Sequence, residues 1–237
     1  MRIDEEPLEI EVGDGIGAVP AVLARPAGAR ATIVVAHGAG AGKDHPFLTG
    51  FSRALAELGF ASLRFDFPYA AAGRRFPDRP PVAIATWHAA TQAARSHAPG
   101  DEPVWASGKS FGGRMASMAA AEGMEVAGLA FLGYPLHPPG RPDRSRDEHF
   151  GSLVGVPMLF VQGRNDPFAI PNEQLDELVR RIGPSAVLEW IEGAGHSFDV
   201  KGAKRPAAEV GASLAPRVAA FVDAHGTPGA TATPPGN

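Results

Sequence analysis

Cysteine is absent from all 237 residues. Disulfides, thiolate metal sites and cysteine nucleophiles are therefore excluded together. Long apolar runs are absent too: no window approaches the roughly 18 uninterrupted apolar residues of a membrane span. The acidic start "MRIDEEPLEIEV" lacks the apolar core of a secretion signal and the basic amphipathic character of a transit peptide, so a soluble cytoplasmic protein is expected. Positive charge is not in excess either. With 22 Lys and Arg against 26 Asp and Glu, the formal net charge is −4, and no clustered basic stripe offers a footprint for nucleic acid or an anionic membrane surface. No HExxH occurs, and the neighbouring Asp147, Glu148 and His149 cannot converge on one ion while extended or helical. No metal or cofactor is expected, and neither an internal repeat nor an interdomain linker is visible.

What is present is an alternation. Short apolar runs recur at 31–37 ("ATIVVAH"), 61–67 ("ASLRFDF"), 103–107 ("PVWAS"), 128–134 ("GLAFLGY"), 157–163 ("PMLFVQG") and 186–192 ("AVLEWIE"). Runs of this kind suit strands buried on both faces of a parallel sheet. Helical patterns separate them: Phe47, Phe51, Leu55 and Leu58 share one face, as do Leu175, Leu178, Val179 and Ile182, and Val210, Leu214, Val218 and Phe221. The alternation predicts an α/β fold, a mostly parallel twisted sheet of about 7–8 strands with helices on both faces. The segments "LEIEV" and "AVPAVLARP" add an antiparallel edge before it. Residues 1–226 are expected to form a single domain and 227–237, "TPGATATPPGN" at the end of the chain, a disordered tail.

One loop, "ASGKSFGGRM" (106–115), contains both the end of a nucleotide-binding P-loop and a serine between glycines. A P-loop needs glycine five positions before Gly-Lys-Ser, to give a slack cradle of backbone amides. Pro103 stands there, followed by the apolar residues of a strand. The earlier "HGAGAGKD" fails as well, since His37 replaces the glycine and Asp44 the magnesium-binding hydroxyl. The other reading, Gly108-x-Ser110-x-Gly112 between a strand and a helix beginning at Phe111, describes a tight elbow that exposes a nucleophilic serine. A serine hydroxyl needs a base, and the base an orienting carboxylate. Asp166 follows the strand "PMLFVQG" and His196 follows "AVLEWIE", both at strand ends and in the order Ser, Asp, His. Asp176 falls within a helix, Asp199 trails the histidine by three residues, and Asp143 lies in a loop well beyond its strand.

With "HGAG", "GKSFGG", "GRNDPF" and "GAGHSF" all at strand ends, the chain resembles the α/β-hydrolases. More narrowly, "VVAHGAGAGKDHPF", "LRFDFPY" and "GRRFPDRPP" resemble a small dienelactone-hydrolase-like branch that includes a testis-expressed protein and a subunit of a histone-acetyltransferase complex. The resemblance implies a catalytic triad of Ser110, His196 and Asp166, with backbone N–H groups of Phe111 and Ala39, or Gly40 in place of Ala39, forming an oxyanion hole. It implies a carboxylesterase acting on small or flexible acyl esters. Only "PLHPPGRPDRSRDEHFGS" stands where such enzymes commonly insert a lid, so an open cleft without a large lid domain is expected. A non-catalytic interaction module with the same fold is the alternative. Around the elbow, His37 is expected to brace the 38–42 loop, Lys109 to be an exposed lysine and Arg114 a salt-bridged one, and Arg64, Asp66 and Tyr69 to line the cleft.

Overall fold

The computed structural model describes residues 4–13 and 15–226; the expected tail at 227–237 lies outside them. Eight strands form one sheet: β1 (Glu5–Glu11), β2 (Ala18–Ala24), β3 (Thr32–Ala36), β4 (Ala61–Phe65), β5 (Val104–Lys109), β6 (Leu129–Leu132), β7 (Met158–Gly163) and β8 (Ala186–Ile191). Their spatial order is β1-β2-β4-β3-β5-β6-β7-β8. The pairs β1·β2 and β2·β4 are antiparallel and all others parallel. This is the α/β-hydrolase fold in its form without a lid domain. Between β6 and β7 the only element among the described residues is a 3₁₀ turn, Glu148–Leu153.

Strand periodicity divides the core. In β3, Val34 and Ala36 join one apolar cluster while Ile33 and Val35 join the other; Phe131 and Phe160 against Leu132 and Val161 repeat the division in β6 and β7. One face is covered by α1 (Pro46–Glu57) and α6 (Ala207–His225), which pack on each other, and the other by α3 (Pro80–His97), α4 (Phe111–Ala121) and α5 (Glu173–Ile182), with the short α2 (Pro68–Ala71) after β4. Sequence periodicity assigns α1, α5 and α6 to their buried faces, with one correction. Leu58 is 37% exposed, because α1 ends at Glu57 and Leu58 is its C-cap. No helix among the described residues is long and apolar enough to cross a membrane.

Helix α3 was not apparent in the sequence. Its buried face is Ala83, Ile84, Thr86, Trp87, Ala90, Thr91 and Ala94, in which small and hydroxylated side chains dilute the apolar signal. It matters to the site all the same: the Trp87 indole Nε1–H donates to the carbonyl of Gly112 at 3.1 Å, tying α3 to the first turn of α4.

Candidate active site

In open parallel sheets, the crevice lies beyond the carboxyl ends of the strands. Here the ends of β3, β5, β7 and β8 deliver the 37–45 loop, Ser110, Asp166 and His196 to the same edge. Ser110 joins β5 directly to α4 with φ 50 and ψ −112, a conformation costly for any residue with a Cβ. The close packing that enforces it is visible at Gly112, where an added Cβ would stand 2.7 Å from the carbonyl oxygen of His37. The elbow is thus wedged against the end of β3, and Ser110 faces outward at the N-terminus of α4.

Three of the residues singled out in the sequence form one hydrogen-bonded series. The Asp166 Oδ2 and His196 Nδ1 are 2.7 Å apart, and His196 Nε2 and Ser110 Oγ are 2.8 Å apart. Asp166 is completely buried, whereas the His196 side chain is 23% exposed, so the series runs from the interior to the cavity. Asp166 also holds its own turn: Oδ1 accepts from the Phe168 N–H at 2.9 Å. Its Oδ2 accepts a second bond, from the Gln162 side-chain amide at 2.6 Å. The Phe168 ring lies 4.4 Å from the His196 ring, centroid to centroid. Neither Gln162 nor Phe168 stood out in the sequence; Phe168 carried a faint signal by following the Asp-Pro turn. The competing acids are occupied elsewhere or exposed. Asp176 accepts from the Trp190 indole, Asp143 pairs with Arg141, and Asp199 lies exposed at the cavity rim.

The 38–43 loop is braced from behind. His37 Nδ1 lies 2.8 Å from the Gly38 carbonyl, and its Nε2 accepts from the Phe67 N–H at 3.2 Å. With one nitrogen donating and the other accepting, the imidazole is neutral, and burial pulls its pKa down. Tyr69 adds to the brace: its hydroxyl accepts from the Gly40 N–H at 3.3 Å and donates to the Gly38 carbonyl at 3.4 Å. Burial raises its pKa to about 12, so it remains a neutral donor. Asp66 accepts from the Lys43 N–H at 2.6 Å, and the buried Arg64 donates to the Lys43 carbonyl at 2.9 Å and to Glu5 at 2.7 Å. Arg64, Asp66 and Tyr69 therefore do not line the cleft as expected. β4 lies beside β3, and the side chains at its end tuck beneath the loop. Among the described residues, the N–H groups of Ala39 and Phe111 have no hydrogen-bond acceptor, while that of Gly40 is engaged by Tyr69.

Two further expectations are corrected. Lys109 is half-buried rather than exposed, and its Nζ donates to the His196 carbonyl at 2.7 Å. Arg114 forms no ion pair among the described residues, and its Nε is buried without a partner. On that side of α4, Arg146, just before the 3₁₀ turn, is a like charge.

A cavity of about 640 Å³ opens over Ser110 and His196. Phe47 and Leu48 of α1 and Pro206 and Val210 at the start of α6 give it an apolar wall, while Lys204, Arg205 and Asp199 mark a polar rim. No group of three or more His, Asp or Glu side chains able to hold a metal is found among the described residues. Chemically, the site offers a hydroxyl in contact with an imidazole, a buried carboxylate behind it, and two unoccupied N–H donors beside it.

Residues 29–223 match the family described as an alpha/beta hydrolase domain. Among solved structures, a dienelactone hydrolase from Anabaena variabilis superposes with a TM-score of 0.73 at 20% identity, covering 95% of this chain and 99% of that one. A lidless α/β serine hydrolase from Xanthomonas campestris gives 0.69 at 19%, covering 94% and 96%. An α/β serine hydrolase homologue from Coxiella burnetii gives 0.69 at 24%, covering 90% and 97%. At these identities the likeness is one of fold.

Proposed function

This chain belongs to the alpha/beta hydrolase domain family, and we propose that it is a serine hydrolase cleaving carboxylic esters through an acyl-enzyme. The observation that carries the reading is the series Asp166–His196–Ser110, at 2.7 Å and 2.8 Å. Ser110 is the nucleophile. As its Oγ bonds to the ester carbonyl carbon, its proton passes to His196 Nε2, and Asp166 keeps Nδ1 protonated and the ring aimed. The negative charge that gathers on the carbonyl oxygen is met by the N–H groups of Phe111 and Ala39, at the positive end of the α4 dipole. Gly40 is the weaker choice for the second donor, since its N–H is held by Tyr69. The tetrahedral species collapses, the C–O bond to the alcohol breaks, and His196 returns the proton to the leaving oxygen. Water then enters by the same route, giving a proton to His196 and its oxygen to the acyl carbon; the bond from that carbon to Ser110 Oγ breaks, and His196 returns the proton to Oγ, which frees the acid and restores Ser110.

An open cavity with an apolar wall supports small or flexible acyl esters as substrates, used without a cofactor and in the cytoplasm. The finer kinship, to the branch containing the testis-expressed protein and the acetyltransferase-complex subunit, belongs to the same proposal and rests on the segments "VVAHGAGAGKDHPF", "LRFDFPY", "GRRFPDRPP" and "GKSFGGRMAS". A fluorophosphonate probe tests the assignment: native protein should be labelled and Ser110→Ala, still folded, should not. Labelling that survives in Ser110→Ala removes the nucleophile assignment. Folded native protein that neither labels nor turns over p-nitrophenyl esters of any chain length would instead favour the interaction module.

A further inference from the structure

We propose that Lys109 is a positioning residue: its ammonium ties the turn that carries His196 to the strand end that carries Ser110. The kinetic consequence rests on the hydrolase reading above; the contacts do not. β8 ends at Ile191, so the main chain of His196 lies outside the sheet ladder. What holds it is a tight turn, with the Gly195 N–H donating to the Asp199 carbonyl at 3.0 Å and the Phe198 N–H to the Gly195 carbonyl at 3.0 Å. That turn places Phe198 at φ 63, a region a bulky side chain rarely adopts, so it needs support from outside itself.

Lys109 provides that support. Its Nζ donates to the His196 carbonyl at 2.7 Å and sits 5.5 Å from the centroid of the Phe198 ring, which also stacks on the Phe47 ring. The end of β6 leaves room for the bond. Gly133 has φ 72, and a Cβ there would come within 3.3 Å of the Lys109 Nζ and 3.4 Å of the His196 carbonyl oxygen. Three parts of the fold thus converge on one hydrogen bond: the end of β5, the end of β6 and the turn after β8. Burial lowers the Lys109 pKa to about 8 against the opposing pull of Asp166, in keeping with an ammonium withdrawn from water for a structural contact.

The location gives the tie its consequence. Lys109 and Ser110 share a peptide bond, and Lys109 grips the residue whose imidazole lies 2.8 Å from the Ser110 hydroxyl. Nucleophile and base are therefore linked by a path of a few bonds rather than only through the whole sheet. Asp166 fixes the ring from the Nδ1 side, and Lys109 fixes the backbone from which the ring hangs.

The lack of native cysteine makes a clean test available. Lys109→Cys introduces the single thiol of the chain. Alkylation with 2-bromoethylamine converts it to a lysine isostere, and methylthiolation converts it to an uncharged stub. With p-nitrophenyl butyrate, the thiol and the stub should lose about 10- to 100-fold in kcat, the scale of an ångström-level misplacement, with KM little changed. The aminoethyl form should recover most of the loss, with similarly treated native protein as control. Hydrogen exchange at the Gly195 and Phe198 amides should quicken in the uncharged forms and return to the native rate in the aminoethyl form. Native kcat in the stub, or a loss that aminoethylation does not repair, overturns the proposal. Should Lys109→Cys fail to fold, Lys109→Arg keeps the charge but not the fit beside Gly133; it should show the same kcat-selective loss, and native kcat in it overturns the proposal. If the native protein hydrolyses nothing, the hydrolase reading falls, and the exchange measurement alone decides the tie: unchanged exchange at Gly195 and Phe198 refutes it.

Discussion

Replacing Gly112 by alanine should damage activity more than stability, and the reason can be worked from the elbow's packing. An added Cβ would lie 2.7 Å from the His37 carbonyl oxygen, 2.8 Å from the Ala36 Cβ and 2.8 Å from the Ala36 carbonyl oxygen. Carbon contacts settle at about 3.5–4.0 Å, so the first turn of α4 and the end of β3 must separate by somewhat under about 1 Å. Overpacking of this kind costs about 1–3 kcal/mol. Alanine recovers up to about 1 kcal/mol in helix propensity over glycine, which, recovered in full, leaves a net loss of ~0–2 kcal/mol. For a chain of this size, that is a fall in Tm of at most roughly 8 °C. The kinetic effect follows from what the two separating parts carry. α4 carries Ser110 and the Phe111 N–H, and the end of β3 leads into the loop with the Ala39 N–H. A misplacement of about 1 Å costs on the order of 100-fold, so a shift of part of that distance should lower kcat by about 10-fold. Thermal melts followed by circular dichroism and steady-state hydrolysis of p-nitrophenyl butyrate would measure both. Gly151→Ala is the control, because nothing lies within 4 Å of a Cβ there. Folded Gly112→Ala with native kcat and Tm, or an equal loss in Gly151→Ala, would refute the reasoning.

Two other outcomes are expected. His149, whose Nε2 lies 2.7 Å from the Ser117 hydroxyl, has its pKa pulled to about 4 by burial and then by Arg114, against an opposing pull from Asp147. The unfolded chain binds this proton near pH 6.5, so the stability from a neutral His149 is present above that pH and is lost as pH falls toward 4. Urea titrations should therefore show stability falling from pH 7 to 4.5, and less steeply in His149→Gln; an unchanged slope would remove His149 as a contributor. On the cavity's apolar wall, Val210→Phe should shift the best p-nitrophenyl ester toward shorter acyl chains and lower kcat/KM for long ones by about 10-fold or more. An unaltered chain-length profile would place the acyl group elsewhere.

Local chemistry was readable in the sequence, and neighbourhood much less so. The β3, β5, β6 and β7 runs declare themselves because strands buried on both faces carry near-continuous apolar runs rather than an alternation. Ser110, Asp166 and His196 are legible because each follows a strand, and the fold collects the strand ends. By contrast, α3 presents alanine and threonine to the core, and its period is faint. The withdrawal of Lys109 was unreadable for a different reason. A lysine's long stem reaches water from most positions, so exposure is the natural expectation. Only the convergence of Gly133, Phe198 and the His196 carbonyl withdraws it.

The support of the 38–43 loop shows the same limit most sharply. His37, Arg64, Asp66 and Tyr69 occupy two segments about thirty residues apart, and nothing in either segment says that they meet. They meet because β4 crosses back to lie on the outer side of β3, giving the order β2-β4-β3-β5. That crossing puts the β4 end behind the loop and leaves β5, with Ser110, on the loop's open side. A single topological choice thus decides which polar residues become scaffold and which face the cavity. Asp66 and Asp166 both follow a strand and both accept a backbone N–H, at 2.6 Å and 2.9 Å. One is spent holding Lys43 and the other also reaches His196, and the strand order separates the two.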